Sequence, residues 1–594
     1  MIGLKKNFRW RLVFLALLFL FPSAFGLAAP AIMPIEEVKP GMHGIAKTVV
    51  SGTKIEEFGV EVLGIMKDKG PSGDLILVRT YGDLIEESGG IAQGMSGSPV
   101  YIDGKLVGAV AYGWSLTDHK TGMVTPIADM LKMLDAPSAT PPLADTSEQL
   151  QPVATPLMVS GFSDRALNLL GEQLKPYSLV PYAAGEPAED TIYPALEPGS
   201  AIGVQLVQGD VSVGAMGTVT YVEGNKLLAF GHPFLKKGNA GYYLSNAYIF
   251  TAMKGLENSF KLGVTGDAIG TVNQDRGAGI AAELDVFPSN IPVRVSVKDL
   301  TTGKTRDAFF RAVQDEQIGS ILSAVGVYNI VDKTIDRVGP GTAKVSFELT
   351  AKDMPGEVLR RENMFYSPTG AAEASIAELH EALTLLAGNQ FHPVDIIDVN
   401  VNVEMTQERR TASILEAKAN VVSVKPGDTV QVTVKLKPYR SQPVIRTVAF
   451  IVPKDQPAGP LILSVRGGGM VPLLQLLLKK DVEDLIRPEK NRHKSFEDLI
   501  KDFSSRDRNN DIVVEVMELD EEELLSGRDA PGKTNPALDT EPKPTPKREL
   551  KKTPTATITT PLKKKDEKKA KAHLTTDYII EGDTRIVLNV SDGK

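Results

Sequence analysis

The sequence predicts a mainly β protein, and three features of it point that way. Two glycine-rich stretches, 33–135 and 197–300, carry short β-branched runs such as "FGVEVLGIM" and "DLILVRT". The runs "VDIIDVNVNVEM", "VVSVKPGDTVQVTVKLKP" and "IRTVAFIVP" alternate with a period of two, which reads as an immunoglobulin-like β-sandwich over 394–466. Helical periodicity is confined to short stretches between and after these blocks. With 594 residues the chain exceeds what one core supports, so several domains are expected.

In chain order, residues 1–28 read as a signal peptide. Lys5, Lys6, Arg9 and Arg11 form a basic start, "LVFLALLFLF" is the apolar core, and Pro22 and small residues follow. The 33–135 block comes next, then a linker and connector over 136–196 that opens with the proline-rich "APSATPPLADTSEQLQPVATP". The second β block fills 197–300. A mixed region over 301–393 contains "EQIGSILSAVGVYNIV" and "AEASIAELHEALTLLAG", in which Ile376, Leu379, Leu383 and Leu386 share one helical face. After the sandwich, 467–527 holds short helices ("VPLLQLLLKKDVEDLI", "SFEDLIKDF") and an acidic stretch. A basic Pro/Lys/Thr tail over 528–575 is expected to be disordered, and 576–594 supplies one terminal strand, "TRIVLNV".

Composition removes several classes of function. The net charge of −8 argues against a nucleic-acid footprint. The chain has no cysteine, which excludes disulfides, thiolate metal sites and a cysteine nucleophile. No cofactor or metal motif is found. After the start of the chain no run approaches about 18 apolar residues, so a soluble, exported mature protein is expected, in a periplasm or an extracytoplasmic envelope.

The stretch that asks for chemistry is "GGIAQGMSGSPVYIDGKLVGAVAYGW", residues 89–114. A serine hydroxyl becomes a nucleophile when a base takes its proton and N–H groups stabilise the oxyanion. The glycines around Ser96 allow the amides of Gly94 and Ser96 to point into one small pocket. The α/β-hydrolase elbow needs Gly-x-Ser-x-Gly before a helix, but position 98 is serine and a hairpin with an Asp103-Gly104 turn follows. A Gly-x-Ser-Gly-x-Pro loop entering a hairpin is instead a chymotrypsin-like arrangement. A plain glycine-rich turn with exposed serines is the alternative.

Seven histidines are available as a base. His573 lies in the tail, His493 by a basic helix, His380 on a helix and His392 in a loop. His43 and His119 read as turn residues. His232, in "GTVTYVEGNKLLAFGHPFLKKG", follows an apolar strand directly, and Pro233 holds it extended.

These residues resemble a known family. "VKPGMHGIAKTVVSGTKIEEFGVEVLGI" with the serine stretch, and "GTVTYVEGNKLLAFGHPF" with "AIGTVNQDRGAGI", are similar to the SpoIVB-type serine peptidases. The resemblance covers about a third of the chain. It implies a trypsin-like double β-barrel with Ser96 as nucleophile, His232 as general base, and Ser98 at a position that is not catalytic. The serine and histidine blocks stand in permuted order, which a triad defined by geometry tolerates. The family's aspartate falls at Tyr81, so Asp83, two places on, is the carboxylate taken for the acid. No PDZ module is recognisable. The implied partner is a protein or peptide substrate, and the basic tail suits an anionic envelope surface as well as a spacer. A catalytically inactive envelope scaffold is the competing reading, to which Tyr81 lends weight.

Overall fold

A computed structural model of the chain describes residues 30–591 apart from 72, 114–118, 136–150, 153–155, 186–190, 256–257, 357, 470–493 and 518–569. The expected signal peptide, the segment "VPLLQLLLKKDVEDLI" and most of the basic tail therefore lie outside the described residues.

The first β block closes on itself. Strands β1 (His43–Val49), β2 (Ile55–Gly70), β3 (Gly73–Tyr81), β4 (Pro99–Ile102), β5 (Lys105–Gly113) and β6 (Thr121–Pro126) pair in the order β4-β1-β2-β3-β6-β5. Pairing of β4 with β5 completes a barrel of six. Its filling includes Val60, Val62, Ile76, Val78, Val100, Val107, Val110 and Val124. Strand β5 is buried on both sides because it also faces outward into protein: Leu106 and Ala109 pack on Leu228 and Ala281 of the second block.

The second β block makes another ring of pairings. Ala201–Gly209, Gly238–Met253, Phe260–Arg276, Gly279–Leu284, Lys226–Ala229 and Ser212–Glu223 are neighbours in that order, and the last pairs back with the first. The chain is thus mainly β with two six-stranded rings, packed together despite the proline-rich connector. Val49 of the first joins Ala201, Met216 and Ile249 of the second in a further apolar cluster.

The second ring is part of a 13-stranded sheet that continues through Thr305–Val313 and Asn290–Asp299 into Ile396–Thr406, Gly341–Ala351 and Val358–Ser367. Two helices pack on this extension. Gly319–Ile335 is buried on nearly every side and is largely apolar, its buried Asn329 and Asp332 being taken up by Ser163, Gly161 and Arg165. Ala371–Ala387 buries Ile376, Leu379, Leu383 and Leu386, the face its periodicity predicts.

Two further sheets enclose a core containing Val430, Val432, Val434, Phe450, Leu461, Leu463, Ile512, Val514, Ile586 and Leu588. Their strands do not follow the expected boundaries. Ile396–Thr406, read as the first strand of a 394–466 sandwich, runs parallel to Asn290–Asp299 in the large sheet. The terminal segment supplies two strands, Ile579–Glu581 and Asp583–Val590. Lys571–Thr575, expected within the tail, pairs with Asp511–Val516, Glu515 opposite Lys571. Period-two alternation assigns faces to a strand and says nothing of which strand lies beside it.

Residues 571–590 therefore complete this two-sheet unit. Truncation after residue 570 is expected to open its core, so that limited proteolysis cuts within 411–467 at protease levels the intact chain survives, while 43–126 stays protected; peptide mapping by mass spectrometry checks both.

Candidate active site

The serine loop lies where the two rings meet. It begins after the short helix Asp83–Ser88 and ends at Pro99 on β4. The Ser96 carbonyl accepts from Thr218 N–H at 2.9 Å, a residue of the second ring, while Gly97 N–H donates to Val110 O of the first at 2.8 Å. Thr218 Oγ1 donates to Gly94 O at 3.1 Å and Thr220 Oγ1 to Gly97 O at 2.7 Å. Gly97 has to be glycine here. Its φ is +92°, and a Cβ would stand 2.0 Å from Thr218 O and 2.5 Å from Phe230 N.

Hydrogen bonding within the loop singles out two amides. Those of Gly90, Ile91, Gln93, Met95, Gly97 and Ser98 all donate to backbone carbonyls, and that of Ala92 approaches Met95 Sδ at 3.4 Å. Among the described residues the amides of Gly94 and Ser96 donate to nothing. Gly94 has φ +89°, a left-handed conformation that turns its peptide out of the local pattern. Ser96 is fully buried and its Oγ makes no hydrogen bond. Ser98 Oγ is engaged, donating to Met95 O at 2.6 Å.

His232 reaches the same junction from the other ring. It follows Lys226–Ala229 through Phe230 and Gly231, both at positive φ, +69° and +68°. For a bulky residue such as Phe230 this is strained backbone. The strain is held from several sides. Thr125 Oγ1 of β6 donates to Gly231 O at 2.6 Å, and the imidazole lies 6.0 Å from the Tyr112 ring of β5 and 5.8 Å from that of Phe230. Its Nδ1 is 2.8 Å from Pro233 O, and since a carbonyl only accepts, Nδ1 carries the proton and Nε2 is the basic nitrogen.

The structure thus brings the loop of Ser96 and the turn of His232 together, with Gly97 against Phe230. It does not add Asp83, which stands exposed at the first residue of its short helix, while His232 Nδ1 is taken up by a backbone carbonyl. Tyr81, at the family's aspartate position, pairs with His43 instead: Oη and Nδ1 are 3.3 Å apart on an exposed surface. His43 is the first residue of β1 rather than a turn residue, and His119 lies against Gly90, its carbonyl accepting from Ile91 N–H.

Two buried ionisable groups escaped the sequence reading. Asp275, inside the quoted block "AIGTVNQDRGAGI", accepts from the amides of Phe234 and Leu235 at 2.7 Å each and of Lys237 at 3.5 Å, so it anchors the turn following His232. Burial pushes its carboxyl up to about 6, against those hydrogen bonds. Lys261, on Phe260–Arg276, is wholly buried, and desolvation alone brings its amine down to about 7. Nζ donates to Thr48 Oγ1 at 2.8 Å and to Thr218 Oγ1 at 3.2 Å. Among the described residues three or more histidines and carboxylates never gather as a metal site.

Residues 28–131 match the SpoIVB peptidase S55 family. That segment is thus similar to the SpoIVB-type peptidases. The match takes in the first ring and the serine loop and supports a serine peptidase; His232 and the second ring lie beyond it. No curated protein and no solved structure matches the chain.

The depressed Lys261 gives a stability signature. Its folded value lies below the ordinary lysine value of 10.5, so the unfolded chain binds the extra proton between about pH 7 and 10.5, and this group makes the fold more stable as pH rises through that window. Lys261→Met lacks the slope. Relative to wild type, its stability should fall by up to about 1.4 kcal/mol per pH unit between pH 7.5 and 10, measured by urea unfolding.

Proposed function

We propose that the chain is an exported serine endopeptidase of the periplasm or extracytoplasmic envelope, cleaving envelope or signalling proteins and itself. The observation that carries this is the pair of undonated amides, Gly94 and Ser96, on either side of Met95 in a loop whose other N–H groups are engaged. Two N–H donors left without acceptors beside a serine suit a tetrahedral oxyanion, and one such donor is worth about 3–4 kcal/mol in a transition state.

In this mechanism Ser96 Oγ attacks the scissile carbonyl and His232 Nε2 takes its proton. The Gly94 and Ser96 amides hold the oxyanion. The imidazolium returns the proton to the leaving amine, and water, activated by the same nitrogen, releases the acyl group. Pro233 O holds the imidazole tautomer, a task the expected carboxylate of Asp83 would otherwise perform. A carbonyl dipole stabilises imidazolium less than a full charge, so a modest turnover is expected. The closed junction must also open, because Ser96 has no exposure to solvent.

That same closure favours a second reading, a catalytically inactive peptidase-like scaffold of the envelope. An active-site fluorophosphonate separates the two. In the first reading the full chain is labelled, Ser96→Ala loses labelling and self-cleavage by at least about a thousandfold with unchanged circular dichroism, and Ser98→Ala retains it. A wild-type chain inert to the probe supports the scaffold.

The basic segment offers anionic envelope surfaces as partner, with 13 Lys and Arg against 6 Asp and Glu between 528 and 573. Binding to phosphatidylglycerol vesicles should weaken steeply with salt and disappear on deletion of 528–569, which spares the strand beginning at Lys571. Unchanged binding after that deletion would leave the segment a spacer.

A further inference from the structure

Lys261 is a fully buried lysine with no carboxylate on it, and the peptidase mechanism does not use it. Its surroundings come from four elements. Thr48 on β1 and Thr218 on Ser212–Glu223 face its Nζ. From the serine loop, Gln93 O accepts its backbone N–H at 2.9 Å, and the place a Gly94 Cβ would take is 3.2 Å from its Cδ. On its own strand Phe260 forms a bridge with Gln93, and Ser259 O receives Gln93 N–H. None of these neighbours is titratable or charged; desolvation is all that acts on the amine.

The donors and acceptors suit a neutral amine, with Thr48 Oγ1 and Thr218 Oγ1 themselves 3.4 Å apart, where either can donate to the other. Two threonine oxygens accept from Nζ, which matches the two N–H bonds of a neutral amine. Thr218 Oγ1, having accepted, gives its single proton to Gly94 O. An ammonium would bring a third N–H and a full charge into a site where, among the described residues, Nζ has two threonine acceptors and no carboxylate. The relay ends on the glycine whose amide faces the proposed oxyanion, and Thr218 also holds Ser96 O through its own N–H.

We propose that Lys261 is a positioning residue of the serine site, fixing the Gly94–Met95 peptide that lies between the two oxyanion amides, through the hydroxyl of Thr218. The proposal rests on the peptidase reading for its purpose, though not for its geometry. Lys261 touches neither substrate nor Ser96 Oγ; it acts through Thr218. Protonation upsets the relay, so the loop is best ordered where the amine is neutral, above about pH 7.

The test uses the full chain as wild type, Lys261→Met, Thr218→Val and, as a second route should the first fold poorly, Lys261→Gln. Hydrogen exchange of peptides spanning 89–98 is followed from pH 5.5 to 9 with intrinsic rates removed, alongside fluorophosphonate labelling rates. The expected result is loop exchange at least tenfold faster in Lys261→Met and Thr218→Val, with strands 429–438 and 444–451 unchanged. In wild type the loop's protection should rise through a step near pH 7, and that step should vanish in Lys261→Met yet survive in His232→Ala. Labelling should slow at least tenfold in both relay variants. Wild-type exchange in both variants, or a pH step that persists without Lys261, would overturn the proposal. A wild-type chain that exchanges as expected but never labels would sink the peptidase reading and leave the assignment of Lys261 to the loop intact.

Discussion

Everything at the candidate site depends on one peptide, that between Ser96 and Gly97, being held by both rings at once. Its carbonyl takes the amide of Thr218 from the second ring, and its Gly97 N–H goes to Val110 of the first. The approach is so close that a single methyl group at residue 97 would collide with backbone. Ser96 and His232, the proposed nucleophile and base, thus sit on different closed sheets, and their relative placement is a property of the interface between the two rings. Such an arrangement pre-orders charge-stabilising groups before any substrate arrives, which is where most electrostatic catalysis originates.

The cost of that order is visible in the same few residues. Phe230 holds a positive φ, Ser96 Oγ is buried with no hydrogen bond, the Gly94 and Ser96 amides donate to nothing, and Asp275 and Lys261 are ionisable groups far from water. Each is unfavourable alone. They lie along two short stretches and the strand beside them, while the surrounding rings are ordinary apolar cores. Departures from good folding practice that gather in one place are the mark of a functional region.

The Ser96 loop, the His232 turn and the two β blocks were legible as local structure because local chemistry announces them: glycines bracket Ser96, Pro233 fixes His232, and alternation marks strands. The partner of the imidazole was not. Asp83 is near Ser96 in sequence but exposed on a surface helix, and the imidazole's partner is a backbone carbonyl, which leaves no trace in side-chain identity. Lys261 was hidden for a different reason. In "SFKLGVTG" it reads as a solvent-facing strand residue, and only the approach of Thr48 and Thr218, from distant parts of the chain, shows that its side of the strand is the inner one. The strand at 396–406 misled in the same way, since its alternation suits either sheet equally.

The return of the chain to the two-sheet unit at Lys571 changes what the basic stretch is. Glu515 and Lys571 are register neighbours, so the 518–569 segment leaves and re-enters the fold at adjacent points. The two points at which the described chain stops and resumes are held side by side whatever the length of the segment between them. One cut anywhere along it would divide the polypeptide in two and release neither half, because Lys571–Thr575, Ile579–Glu581 and Asp583–Val590 remain hydrogen-bonded into the sheets. A protease nicking its own chain there would turn a single polypeptide into a two-chain protein with the same core.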